Sequence, residues 1–344
     1  VKLRRQLVDL LLGLAPIALA LAFTTVILWV ANAPPVEAYA NIWSGATENA
    51  TKISSVLMAW VPLVLCAAGL LVTFTAGLWN IGVEGQIVVG ALFVTWVARN
   101  ITLPSAALVP LLLLSGMLGG ALWGVLCGLL KTHGRVHEIF AGVGLNFVAA
   151  ALTNFFIFGP WKPADGATMS GTDTFPQAAW LPRLGNLPLI PLAVVAGLVA
   201  VAGAYFILRG TIWGLELKAI GRNVRSAFLM GIPTDRHLLL AFALCGALGG
   251  LAGAIQSAGV RQRLIPGISA GYGFLALLVV LLSGYRPLLT VPIALFFALI
   301  GVGSPRLELR MQLDSSLGGI LEAALVLFVL LANGLRRQLP SRES

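Results

Sequence analysis

Between positions 74 and 92 the sequence reads FTAGLWNIGVEGQIVVGAL. A long apolar run stops there, Gly77 and Gly82 interrupt the backbone, and a second apolar run begins. Asn80, Glu84 and Gln86 sit at the interruption, with Phe74 and Trp79 just ahead of it. A carboxylate inside so apolar a sequence is costly unless something holds it. Glu84 falls in the first turn after Gly82, where free backbone N–H groups and the helix dipole favour negative charge. Its expected role is therefore to cap its own broken helix, with Gln86 bonding a neighbouring backbone. Residues four apart share a helical face, so Asn80 and Glu84 could lie together. Unwound backbone at membrane depth is tolerated where it is buried in protein or lines a watery cavity. The interruption, with Asn80 on its face, is thus the expected border of a solute path. Phe74 and Trp79 could stack on a ring-bearing solute or simply anchor the helix. Asn146 and Asn154 lie eight residues apart on a later apolar run, within about a quarter turn of each other. They either line the same path or bond between helices.

A second polar stretch, 210–236, mixes Leu215, Leu217, Ile220, Val224 and Phe228 with Glu216, Lys218, Arg222, Asn223 and Arg225. It is too charged to cross a bilayer, and Gly221 and Gly231 divide it into short pieces. Two uses fit: an interfacial helix lying on headgroups, or a docking element for a partner protein.

The elements that position these residues follow from composition. The chain has 344 residues, 58% hydrophobic and 10% charged, with a mean hydropathy of +0.95. Soluble domains carry roughly 25% charge, so this chain is an integral membrane protein. Long unbroken apolar runs exclude a β-barrel, whose strands alternate polar and apolar residues. The net charge of +9 does not signal nucleic acid, because the basic residues are scattered through short loops. Cys66, Cys127 and Cys245 are isolated within apolar runs and read as core residues. His133, His137 and His237 fall at helix ends and read as interfacial polar groups. No HExxH, nucleophile elbow or phosphate-binding loop is present, so the chain has no catalytic set and does not itself hydrolyse ATP.

Ten spans are expected, near 10–30, 55–75, 83–98, 105–130, 138–158, 188–208, 237–258, 271–283, 287–302 and 317–332. They form a single domain over 1–344, with an external loop at 159–187 and a cytoplasmic segment at 210–236. The first run resembles a signal peptide but is too long for one. Segment 34–54 is expected as an external loop, and 271–283 is the weakest span. Lys and Arg concentrate in the loops on the amino-terminal side, which places both termini in the cytoplasm. Gly116, Gly120, Gly124 and Gly128 form an every-fourth-residue ladder, and Gly246, Gly250 and Ala254 form another. Such faces let helices approach closely in lipid. Their Gly-Gly pairs hint at an internal pseudo-repeat.

These residues carry a resemblance over nearly the whole chain. The core NIGVEGQ at 80–86 resembles the nucleoside and simple-sugar branch of the bacterial ABC importer permeases that also include branched-chain amino acid and ribose permeases. GLELKAIGRNVRSAFLMGI at 214–232 resembles the family's coupling region, with Ala219, Gly221 and Asn223 in an A-x-G-x-N pattern. CGALGGLAGA at 245–254 and SAGYGFLALLVVLLSG at 269–284 fit as well. The resemblance implies a type II importer fold, all α-helical, with two permeases around one path. It implies alternating access driven by a cytoplasmic ATP-binding subunit, a second permease that is commonly a different chain, and an external solute-binding lipoprotein. ATP and magnesium would then sit on the partner ATPase, with no cofactor on this chain, in a bacterial inner membrane. Asn80, Glu84, Gln86, Trp79, Phe74 and Asn146 would border the path. Glu216, Ala219, Gly221, Arg222 and Asn223 would couple it to the ATPase. The other readings are a monosaccharide or branched-chain amino acid permease, or a stand-alone ion-coupled carrier.

Overall fold

The structure, a computed structural model, describes residues 18–30, 33–163, 171–314 and 316–338. Every regular element among them is helical. They are α1 (Ala18–Val30), α2 (Pro35–Thr47), α3 (Ala50–Thr75), α4 (Val83–Asn100), α5 (Ser105–Thr132), α6 (Glu138–Phe158) and α7 (Pro191–Gly210). Then follow α8 (Ile212–Arg222), α9 (Val224–Leu229), α10 (Thr234–Ala254), α11 (Tyr272–Leu282), α12 (Pro287–Gly303), α13 (Pro305–Met311) and α14 (Ser316–Gln338). A π-helical turn, Ile255–Arg261, prolongs α10. Six helices among the described residues are long and apolar enough to cross a bilayer. Proline sets several starts: Pro35, Pro191 and Pro305 occupy first-turn positions, where a missing N–H costs nothing.

Two compact units emerge, one joining the residues up to Ala59 to those from Leu295 onward, the other spanning Trp60–Ala294. In the first, segment 34–54 is not the loop its polar residues suggested. Pro34 and Pro35 start α2, which turns 110° from α1 and packs its Gly45 on Gly303 and Arg306 of the α12–α13 corner. Arg306 also pairs with Glu48 and holds that carboxyl below the ordinary carboxylate range. The expected start of the first span, residue 10, lies outside the described residues.

The second unit is built on close backbone contact. Residues 60–73 of α3 are all buried, as expected of a helix that is apolar all round. The glycine ladders of α5 and α10, expected as signs of a repeat, are two sides of one contact. A Cβ on Gly120 would collide with the Gly246 carbonyl, and one on Gly124 with the Phe242 carbonyl. A Cβ on Gly116 would lie 2.8 Å from the Gly250 carbonyl oxygen and from the Ala254 Cβ. Gly90 brings α4 onto Gly250 in the same way. Three backbones therefore meet with almost no side chain between them, the arrangement that supplies packing where lipid offers no hydrophobic drive.

The end of the unit opposite α8 is closed by the segment after residue 170. Thr172 and Phe175 donate backbone N–H groups to the Leu264 and Gln262 carbonyls at 2.9 and 2.8 Å. Arg183 Nη2 donates to the Gly259 carbonyl at 3.0 Å, satisfying the end of the π-turn. The weak span expected at 271–283 is only the 11 residues of α11. That is about 16 Å of helix against a hydrocarbon core of about 30 Å. It is a half-helix with its amino end inside the bundle.

Gly246→Leu should force α5 and α10 apart and cost at least about 3 kcal/mol. Gly203→Leu adds its side chain where a Cβ meets nothing within 4 Å. Thermal unfolding of both variants in detergent should show a lowered midpoint for the first and an unchanged midpoint for the second.

Candidate functional site

The interruption between α3 and α4 is a tight, fully bonded turn. Leu78 N–H donates to the Thr73 carbonyl at 2.9 Å and Gly77 N–H to that of Phe74 at 3.0 Å. Gly77 is left-handed, with φ +76°. This is a Schellman ending, and glycine suits it because a Cβ is disfavoured there. Ile81 N–H then reaches back to the Trp79 carbonyl at 3.0 Å, and α4 begins after Gly82.

Asn80 and Gln86 are wholly buried and face each other. Their side-chain amides exchange two hydrogen bonds of 3.3 Å, and Asn80 Nδ2 also lies 3.1 Å from Cys245 Sγ on α10. The expected bond from Gln86 to a backbone is thus a bond to Asn80. Both side chains turn toward α10, so Asn80 does not share a face with Glu84.

Asn146, on α6, caps α4. Its Oδ1 accepts from Gly85 N–H at 2.8 Å, one of the four free donors of a helix start, and its Nδ2 donates to the Ile81 carbonyl at 3.0 Å. Gly142 lets α6 come this close, since a Cβ there would lie 2.6 Å from the Gly82 nitrogen.

With α4 capped by Asn146, Glu84 is free to act elsewhere, and it does not cap its own helix. Its Oε1 accepts from Gly271 N–H at 3.2 Å and its Oε2 from Gly273 N–H at 2.8 Å. The carboxylate therefore sits on the amino end of the half-helix α11, where charge-assisted bonds are strongest. Gly273 is required by this approach: a Cβ there would lie 2.6 Å from Glu84 Oε2. The loop that Glu84 holds is strained. Gln262 and Ala270 have positive φ without being glycine, and such strain persists only where the surroundings over-determine it.

Beside these caps lies an open cavity of about 310 Å³ between α4, α6 and the loop before α11. Its walls include Glu84, Asn146, Phe147, Asn154, Ser269 and Phe274. Carboxylate, amides and hydroxyl stand beside two phenyl rings. Phe147 is 72% exposed, so its ring is open to a neighbour or a solute. The six residues expected along a path thus separate. Glu84 and Asn146 line the cavity, and Asn80 and Gln86 are buried behind it. Phe74 stacks edge-on with Trp79 at 5.0 Å and with Tyr285 at 5.5 Å, and neither Phe74 nor Trp79 is among the cavity walls. Phe147, Ser269 and Phe274 were not singled out from sequence. The only signals were the GIS-AG turn before a short apolar run and the ring beside Asn146.

The charged segment 210–236 folds as α8 and α9. Thr211 caps α8 by accepting from Gly214 N–H at 3.0 Å. Leu217 and Ile220 face inward, while Ile212, Leu215, Arg222 and Asn223 face out. Asn223 ends α8 and starts α9, its Oδ1 accepting from Ser226 N–H at 2.9 Å. Ala219 lies one turn earlier, half-buried, and its carbonyl accepts from Asn223 N–H at 3.1 Å. Gly221 touches the α3 ending, since a Cβ on Gly77 would lie 3.3 Å from its Cα. Glu216 accepts from His237 Nε2 on α10 at 2.7 Å. Among the described residues no His, Cys, Asp and Glu group is arranged to hold a metal.

Helices long and apolar enough to cross a bilayer, with a capped half-helix among them, are the build of a multi-pass membrane protein. Residues 52–330 match the family model described as branched-chain amino acid transport system / permease component. The chain belongs to that family and is a non-catalytic, multi-pass membrane subunit of an ABC transporter. It is 34% identical to the glucose ABC transporter permease protein TsgB13 of Haloferax volcanii, over 92% of this chain and 86% of that protein. It is 27% identical to the guanosine ABC transporter permease protein NupP of Bacillus subtilis, over 94% of each. It is 25% identical to the nucleoside ABC transporter permease protein NupB of Lactococcus lactis, over 86% of this chain and 83% of that one. A solved structure, PsaBC from Streptococcus pneumoniae in complex with Fab, shares the fold with a TM-score of 0.50 at 12% identity. That match covers 86% of this chain and 95% of the solved one.

Removing Glu84 should free the loop before α11. Its two bonds are each worth about 1.5–3 kcal/mol as bonds to a charged group. A cysteine at Ser269, which is 5% exposed, should react with a membrane-permeant maleimide at least about tenfold faster in Glu84→Ala. Glu84→Gln keeps one acceptor and should fall between. Equal labelling rates in all three would deny Glu84 this role.

Proposed function

We propose that the chain forms one half of the solute path of an ATP-driven importer for nucleosides or related sugars, by alternating access. The cavity walled by Glu84, Asn146, Phe147 and Phe274 carries this reading. A nucleoside presents a flat ring to stack and a sugar edge to bond, and the cavity offers phenyl rings and polar groups side by side. Relatives named for guanosine and nucleosides support it. A monosaccharide is the second reading, favoured by the glucose permease as a relative at 34% identity. The polar wall serves a sugar equally well, and the rings distinguish the two.

In this reading the cavity is completed by a second permease, most simply a different chain. Solute arrives from an external binding lipoprotein, and ATP with magnesium is held by a cytoplasmic ATP-binding subunit, leaving this chain without a cofactor. The protein lies in a bacterial inner membrane with both termini and α8–α9 in the cytoplasm. Ala219, Gly221, Arg222 and Asn223 serve the ATPase interface, and Glu216, bonded to His237, couples that interface to α10. The exposed Ile212, Leu215, Phe228 and Met230 support docking, because a solvated face has no use for them, while a partner's groove does. Gly221 against Gly77 gives that docking a direct line to the interruption before α4.

The test is uptake by the assembled transporter in proteoliposomes, with labelled guanosine and glucose as probes. Import should require ATP. Phe147→Ala should raise KM for guanosine at least about tenfold, the loss of one stacked ring with its buried area, and leave KM for glucose nearly unchanged. Arg222→Ala with Asn223→Ala should reduce co-purification of the ATPase without changing solute binding by the external protein. Import by this chain alone, insensitive to ATP depletion, would overturn the importer reading.

A further inference from the structure

We infer that Glu216 and His237 form the joint through which α8 moves α10, and so the cavity loop. The inference rests on the docking role of α8–α9 proposed above. His237 lies in the first turn of α10, and its side chain is 10% exposed. Its Nε2 is 2.7 Å from Glu216 Oε2 and its Nδ1 is 2.9 Å from the Pro233 carbonyl. The ring thus bridges the Glu216 carboxylate and the Pro233 carbonyl. The joint is a hydrogen-bonded pair anchored to the backbone just before α10.

Among the described residues this is the only side-chain hydrogen bond between α8 or α9 and α10. The other polar tie of α8 runs backward, from Lys218 Nζ to the Leu208 carbonyl at the end of α7. Besides the short chain link through α9, α8 is tied to α10 by this one side-chain contact. From there the path is stiff. α10 and its π-turn form one element of 28 residues, gripped by α4 and α5 through Gly250 and Gly246. Its far end leads into the strained loop that contributes Ser269 to the cavity and that Glu84 clamps from the other side. A rigid helix joined at one end and delivering a strained loop at the other is a device for shifting that loop between two arrangements. Glu216 and His237 are positioning residues in it, with no contact to solute.

The experiment is a double-mutant cycle on the complete transporter in proteoliposomes, using labelled guanosine and measuring solute imported per ATP hydrolysed. Co-purification of the ATPase is measured in parallel. Glu216→Ala and His237→Ala should each lower the ratio at least threefold while the ATPase still co-purifies. The double variant should be no worse than either single one, because one joint is broken in all three. Glu216→Gln can still bond the ring and should keep more than half of the wild-type ratio. Independent, multiplying losses, or an unchanged ratio in an assembled complex, would overturn the joint. An ATPase that does not co-purify with the wild-type chain would instead overturn the docking role, and the two failures are read separately.

Discussion

The structure depends on where the Glu84 carboxylate goes. A half-helix that starts inside a membrane protein leaves backbone N–H groups with no water to meet them, and each unmet group costs several kcal/mol in hydrocarbon. α11 meets that cost with a carboxylate from α4, bonded at Gly271 and Gly273. α4 starts inside the bundle too, and Asn146 of α6 supplies its cap. The two caps form a relay, α6 onto α4 and α4 onto α11, and the cavity lies within it. Asn146 and Glu84, which look out of place in the apolar sequence, each complete a helix start that would otherwise be unfinished.

This relay works only if the helices come close. The glycines of α4, α5 and α10 bring three backbones together, and Gly82, Gly142 and Gly273 do the same around the caps. The behaviour of the molecule follows from the pairing of tight and loose parts. The glycine-packed helices are stiff, because any shift opens a void between backbones. The loop from Gln262 to Gly271 holds four positive-φ residues and is tied down by side chains from elsewhere.

The membrane class, the long helices, the glycine faces and the docking segment were legible in the sequence, because periodicity, charge and small-residue spacing are local signals. The polar triad was legible as important and illegible in detail. Spacing within one helix suggested that Glu84 caps α4 and shares a face with Asn80. Long-range contacts overrode both, since Asn146 lies 61 residues from the donor it satisfies and Glu84 lies 187 from its nearer partner. No window of sequence contains such pairs. Segment 34–54 misled for a different reason: its polar residues read as loop, while two prolines start the helix Pro35–Thr47, whose Gly45 packs on Gly303 and Arg306. Ser269 and Phe274 carried no signal beyond a glycine-flanked turn and a short apolar run, because a half-helix is too brief to stand out as a span.

The most direct measurement of the central claim is a cryo-EM structure of the assembled transporter with solute trapped in transit. Solute density should lie between α6 and the loop before α11, against the Phe147 ring and within hydrogen-bond reach of Asn154 or Ser269, with Glu84 still on the amino end of α11 on at least one side of the cycle. Density beside Phe74, Trp79 and Tyr285, with the space between α6 and that loop filled by protein, would contradict it.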